Sequence, residues 1–159
     1  MTLPIQKAQE MAKTSANFVD ARTLRIAPKL TGGTADDKRK EIALYFTNTF
    51  DTYTRLFDCL REDTVFYQKP IPLRHPLIFY LGHTATFFIN KLLLAKLLPE
   101  RIDAHMESIF AVGVDEMSWD DLSEENYDWP SVSAVKNYRA KVRAKVLKLI
   151  NTLDLVLPI

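Results

Sequence analysis

Three stretches of the chain carry the apolar pattern of long helices. Between Thr34 and Leu60 apolar residues recur at steps of three and four, and the same spacing returns between Val132 and Leu153. The stretch from Pro76 to Leu98 is apolar on nearly every side, which is typical of a helix buried inside a bundle. The first stripe is Ile42, Phe46, Phe50, Tyr53, Phe57 and Leu60, and the last is Val135, Tyr138, Val142, Val146, Leu149 and Leu153.

Start and stop signals bound these three helices. Thr34 can cap the first helix, and two acidic residues follow it at the positive end of the helix. Ser131 is a candidate cap for the last helix. Pro76 suits the first turn of the middle helix, and Pro99 ends that helix. The boundaries therefore follow from local side-chain chemistry as well as from periodicity.

The segments outside these helices are less regular. Residues 1–33 form a predicted N-terminal arm that ends at Gly32-Gly33, and residues 34–159 form the predicted bundle domain. From Ile102 to Val135 the chain has nine acidic residues and no lysine or arginine. Because this segment is long for a connection between helices, we expect it to hold a short helix near Ala104–Phe110 and an ordered acidic loop.

The pattern as a whole predicts an all-α fold. We expect an up-down helical bundle that is incomplete, with three long helices and the acidic insertion. A fourth helix would complete the usual arrangement. Three sources of that helix stay open: the N-terminal arm, a second copy of the chain, or further sequence beyond Ile159.

Composition and charge narrow the class of protein. The formal net charge is +1, so overall charge predicts neither a nucleic-acid nor a membrane partner. The uncharged run Pro76–Asn90 is shorter than the roughly 20 residues that a membrane span needs. Cys59 is the only cysteine, which excludes an intrachain disulfide and fits a reducing compartment. The N-terminus lacks the apolar core of a signal peptide, so we expect a cytoplasmic protein.

The three histidines raise the question of a metal site. His75 and His83 are eight residues apart, which on one helix is a rise of roughly 12 Å, whereas metal–nitrogen bonds are about 2 Å. One ion can take both only if the helix begins between them. The chain has no HxxxH or HExxH motif. Spacing alone therefore favours a hydrogen-bonded core histidine at His83, and surface or capping roles for His75 and His105.

Other candidate groups favour ordinary structural roles. Cys59 is interpreted as a packing residue, because a reactive thiol prefers a helix N-terminus. The carboxylates of Asp115–Asp121 could act as acid and base, but ion pairing with a basic face of the last helix is favoured. That face is predicted from Lys136, Arg139, Lys141, Arg143, Lys145 and Lys148. Another set of side chains either walls a pocket or, as we favour, pins the acidic loop: Met106, Phe110, Met117, Trp119, Tyr127 and Trp129.

The residues also carry a resemblance to a known family. The run PLRHPLIFYLGHTATFFINKLLLAKLLPERI, followed by FAVGVDEMSWDDL and YDWPSVSAVKNYR, resembles the N-terminal region of 5-histidylcysteine sulfoxide synthases of ovothiol biosynthesis. DKRKEIALYFTNTF is similar to the first helix of that family. The resemblance covers roughly residues 30–159. More distantly, the helix with LGHT is similar to the DinB-like four-helix metal-binding superfamily and to ergothioneine-pathway sulfoxide synthases.

This resemblance implies a non-haem iron(II) enzyme. The family uses O2 to join the sulfur of cysteine to a ring carbon of histidine, and the product is a sulfoxide. Three histidines hold its iron, and the GHT motif makes His83 one of them. The other two belong to an HxxxH motif on a fourth helix, which this chain lacks, as it lacks the family's catalytic partner domain. Cysteine and histidine are thus implied as substrates of the full-length family only.

The missing parts set the expectation for this chain. We expect an N-terminal fragment that is inactive alone, binds no iron and has no catalytic or cofactor-binding residues of its own. Whether the chain is an enzyme in its own right stays open. The alternative is a stand-alone DinB-like interaction protein without catalysis. Such a protein would cover the apolar groove of the missing helix by forming a homo-oligomer, for example a dimer.

Overall fold

The computed structural model describes residues 27–29, 31–72, 74–112 and 127–155. These residues form four α-helices and contain no strand, which confirms the all-α prediction. The helices are α1 (Ala35–Leu56), α2 (Leu77–Leu94), α3 (Ala104–Ile109) and α4 (Val132–Thr152), with short 3-10 turns at Phe57–Cys59 and Asp63–Tyr67. Most of the predicted arm and the acidic stretch 113–126 lie outside the described residues. The chain divides into two compact units, residues 1–49 and 50–159.

In the first unit, Thr34 caps α1 as predicted. The Thr34 hydroxyl accepts a hydrogen bond from the Asp37 backbone N–H at 3.2 Å and donates to the Asp37 carboxylate at 2.7 Å. That carboxylate also accepts from the Thr34 backbone N–H, so the two residues form a reciprocal capping box. The hydrogen bond with the Thr34 side chain, followed by the bond with the Thr34 backbone, lowers the pKa of Asp37. The start of α1 is therefore fixed by local chemistry.

The core of the second unit forms around α2. This helix packs against α4, α3 and the Asp63–Tyr67 turn. Its apolar side chains are buried on several sides, because neighbours cover several of its faces. Buried apolar residues of this unit include Phe57, Phe66, Ile78, Phe79, Leu81, Ile89, Met106, Phe110, Val135, Tyr138, Val142 and Val146.

Two helix ends differ from the predictions. α1 ends at Leu56, not near Leu60, because its last turn tightens into the 3-10 turn and Leu60 is extended. α2 ends at Leu94, well before Pro99, because Lys96 adopts a left-handed φ of 57°. The Leu97 N–H then bonds the Leu92 carbonyl and the Lys96 N–H bonds the Leu93 carbonyl, both at 2.9 Å. This is a Schellman motif with lysine where glycine is usual.

The remaining boundaries match the predictions closely. The short helix predicted near residues 104–110 is α3, and the Asp103 side chain caps it by accepting from the Met106 N–H. Ser131 caps α4 as predicted, since its hydroxyl accepts from the Ala134 N–H at 3.2 Å. Pro76 occupies the cap position of α2. Capping signals thus locate helix starts better than apolar stripes locate helix ends.

α2 is long and apolar enough to cross a membrane by length and composition alone. In the structure, 39% of the helix is buried by the rest of the chain. A single helix of this kind is weak evidence for a membrane span, because core helices of globular proteins pass the same test. Its packing against α3 and α4 instead makes it the core helix of the unit.

Candidate functional site

His83 lies in the middle of α2, half-buried, with one ring nitrogen engaged. Its Nδ1 is 2.8 Å from the backbone carbonyl oxygen of Phe110. A carbonyl oxygen only accepts hydrogen bonds, so Nδ1 carries the proton and donates. In the neutral ring Nε2 then keeps its lone pair. Metal-bound histidines commonly donate their second ring N–H to a carbonyl in this way.

Aromatic rings hold the plane of the His83 imidazole. The ring of Phe79, one helical turn earlier, stacks on it with a centroid distance of 5.2 Å and an angle of 12°. Phe110, whose carbonyl binds Nδ1, is fully buried. Its ring packs so closely on Gly82 that a Cβ at residue 82 would overlap it. Gly82 therefore lets Phe110 approach α2 at the position that supports His83.

The structure brings His75 to the same aromatic wall. Its ring stacks on Phe79 at 4.1 Å, and Trp129 packs edge-on against both rings. Burial, followed by the charges of Lys69 and His83, lowers the pKa of His75. The imidazole of His75 is therefore part-buried and not fully exposed as a surface role predicts, because it packs on Phe79 and Trp129.

The other sequence candidates lie apart from His83. His105 is exposed, as expected for a surface role. Cys59 is exposed and not a packing residue, because it lies at the end of a 3-10 turn whose buried residue is Phe57. The carboxylates of Asp115–Asp121, and with them Met117 and Trp119, lie outside the described residues. Within those residues no three His, Cys, Asp or Glu side chains cluster as metal ligands would.

The predicted basic face of the last helix needs one correction. Arg139 is buried, because it lies one turn from both Val135 and Val142 and so falls on the buried stripe of α4. Two other basic residues pair with acids from the region of α1 and its 3-10 extension. Arg143 holds Asp51 with two bonds of 2.7 and 2.9 Å, and Lys136 is 3.2 Å from Asp58.

Sequence reasoning missed the burial of Arg139 and the contacts of His83. The charge of Arg139 favours a solvated face, although its spacing to the buried valines is a usable signal for burial. By pattern Phe79 fits a core role and Phe110 a place in a pocket wall or in the contacts that pin the acidic loop, and Phe110 is 27 residues away from His83 in the chain. No sequence signal pairs a backbone carbonyl with a side chain at that separation.

An apolar strip continues along α2 from His83. Phe87 and Leu94 are exposed on this helix, and the Lys91 ammonium lies 5.2 Å from the centre of the Phe87 ring. Beside Leu94 a groove of about 640 Å³ is lined by residues of α2 and of the segment 101–111 that carries α3. His83 therefore borders a surface that the described residues leave partly uncovered.

Comparison with known proteins agrees with the all-α fold. Residues 45–156 match the family model of the DinB superfamily. The chain is 33% identical over 103 residues to ergothioneine biosynthesis protein 1 of Neurospora crassa, and the match covers 62% of this chain and 11% of that protein. The chain thus spans only about a tenth of the relative it matches. With a family match over most of its length, the chain belongs to the DinB superfamily.

Proposed function

We propose that this chain contributes His83 to the iron(II) centre of a sulfoxide synthase of the 5-histidylcysteine type. The observation that carries the proposal is the hydrogen bond from Nδ1 to the Phe110 carbonyl, which leaves Nε2 as a metal donor on a half-exposed ring. Similarity to ergothioneine biosynthesis protein 1 and the family match support it. His83 fits one ligand position, and no cluster of three His, Cys, Asp or Glu side chains lies within the described residues, so in this proposal further ligands lie outside them.

The proposed reaction joins cysteine and histidine in the cytoplasm. A thiol S–H bond and a ring C–H bond break, while a C–S bond and an S–O bond form. O2 accepts four electrons, with one oxygen atom entering the sulfoxide and the other leaving as water. Iron(II), when bound, supplies the site for O2. In this proposal the described residues hold and orient one ligand, and we assign them no other step.

The test compares two histidine variants in the protein isolated at its natural length. His83→Asn is expected to lose bound iron and sulfoxide formation from cysteine, histidine and O2, because one ligand is removed. His105→Asn, the matched control at an exposed histidine, is expected to retain both. Iron per chain is measured by elemental analysis and the sulfoxide by mass spectrometry. Full iron content in His83→Asn would refute the ligand role.

The 159-residue chain alone is expected to bind iron at well below one ion per chain. A single imidazole is a weak site, since stable metal centres in proteins use several side-chain ligands. Stoichiometric iron that is lost in His83→Asn would show that further ligands lie within this chain.

We also propose that the uncovered strip of α2 binds a second copy of the chain. Phe87 and Leu94 are 42% and 78% exposed, and exposed apolar surface of this kind favours association. Leu94→Glu is expected to shift a dimer to monomer in light scattering. Leu56→Glu, at a leucine 61% exposed on another helix, is the control and should leave the dimer intact. A monomer at all concentrations in the unmodified chain would refute this second proposal.

A further inference from the structure

Arg139 is a buried cation whose charge no carboxylate of the described residues neutralises directly. The residue is only 2% exposed, although arginine is rarely buried unless it is paired. Within the described residues no acidic side chain forms an ion pair with it. Asp51, whose charge acts on Arg139, is bound by Arg143 instead. A buried charge in this state is costly to the folded protein.

The guanidinium of Arg139 binds two atoms of one turn of α2. Its first terminal nitrogen donates to the Leu81 carbonyl at 2.6 Å and to the Thr84 hydroxyl at 2.7 Å. Residues 81 and 84 are one turn apart on a helix, so the two N–H groups of one nitrogen can reach both acceptors. His83 lies within that turn. The bonds from Arg139 therefore fix the turn that carries the imidazole.

The rest of the guanidinium is held by α1. Its second terminal nitrogen donates to the Thr54 hydroxyl at 2.8 Å, and the group lies over the rings of Phe50 and Tyr53 at 4.4 and 5.4 Å. The Tyr53 hydroxyl also donates to the Tyr80 carbonyl on α2 at 3.0 Å. Nε has no partner among the described residues. Burial lowers the pKa of Arg139 to about 10, which still leaves it charged at neutral pH.

We propose that Arg139 is a positioning residue for His83. By binding the Leu81 carbonyl and the Thr84 hydroxyl, it sets the rotation of the α2 turn at which His83 Nδ1 meets the Phe110 carbonyl. It thereby selects the tautomer in which Nε2 is free. The value of that tautomer for a metal rests on the proposed function, but the positioning itself is a property of the metal-free chain.

The test reads the His83 tautomer by nitrogen NMR of the imidazole in the metal-free chain. The unmodified protein is expected to show His83 as a single Nδ1–H tautomer. Arg139→Met is expected to lose that preference and to show two exchanging tautomers. Arg143→Met is the matched control, since it breaks two bonds from the same helix but touches Asp51 and not α2. It should lower stability and leave the His83 tautomer unchanged.

A second pair of variants decides the question if Arg139→Met does not fold. Thr84→Val and Thr54→Val each remove one hydroxyl acceptor of the same guanidinium with little change of shape. Thr84→Val is expected to weaken the tautomer preference, whereas Thr54→Val should preserve it. Equal effects of the two valines, or an unchanged tautomer in a folded Arg139→Met, would overturn the proposal.

The NMR experiment and the iron-binding experiment can each refute one proposal without refuting the other. If the His83 tautomer depends on Arg139 but iron binding does not depend on His83, Arg139 is a positioning residue and His83 is not an iron ligand. If iron binding depends on His83 but the tautomer does not depend on Arg139, His83 is an iron ligand and Arg139 does not position it.

Discussion

Gly82→Ala is expected to destabilise the protein by about 1–3 kcal/mol, although alanine is the better helix former. At an ordinary helix interior this change would stabilise by roughly 1 kcal/mol. Here the new Cβ would overlap the ring of Phe110, which is fully buried and has no room to withdraw. The sign of the effect therefore separates close packing from helix propensity. Urea unfolding of both proteins measures it.

Three further variants test whether the Phe110 ring causes this loss of stability. Ala144→Gly, at an exposed position inside α4, measures the propensity difference alone. Phe110→Leu removes the ring that the new methyl group meets. The double variant Gly82→Ala/Phe110→Leu is expected to be at least about 1 kcal/mol more stable than the sum of the two single changes predicts. Strict additivity, or a gain of stability in Gly82→Ala, would contradict the packing argument.

The sequence predicts the helices well because their signals are local. The steps of three and four in α1 and α4 need only neighbouring residues, and so do the hydroxyl caps at Thr34 and Ser131. The end of α2 is harder to predict from the sequence. It depends on the left-handed backbone at Lys96, a residue type that gives no warning of that conformation.

The candidate site is only partly predictable, because its support is non-local. Spacing predicts that His83 is a core histidine, and only the resemblance predicts that it is a metal ligand. Its tautomer depends on the Phe110 carbonyl, which no pattern of side chains reveals. The charge of Arg139 favours the solvated face, whereas its register with Val135 and Val142 places it on the buried stripe. At this position periodicity is the better guide than charge.

Glu107→Ala is expected to cost about 2–4 kcal/mol, because it leaves paired backbone groups without an acceptor. Glu107 is 1% exposed. One oxygen of its carboxylate accepts from the Ile102 and Asp103 backbone N–H groups at 2.8 and 3.1 Å. The other oxygen accepts from Arg101 at 3.2 Å. These bonds close the loop before α3, the helix that Phe110 directly follows.

Two control variants distinguish the effect of the buried Glu107 carboxylate on stability from the effect of removing any acidic side chain. Glu100→Ala, at an exposed residue of the same segment, is expected to change stability by less than about 0.5 kcal/mol. Glu107→Gln keeps one carbonyl oxygen as acceptor for the two backbone N–H groups but places a neutral amide group beside Arg101. Its loss of stability should therefore fall between those of Glu100→Ala and Glu107→Ala. Thermal unfolding of the three variants gives the order. If Glu107→Ala is no less stable than Glu100→Ala, the carboxylate does not hold the start of α3, and the position of Phe110 depends on its other contacts, such as its packing against Gly82 and Trp129.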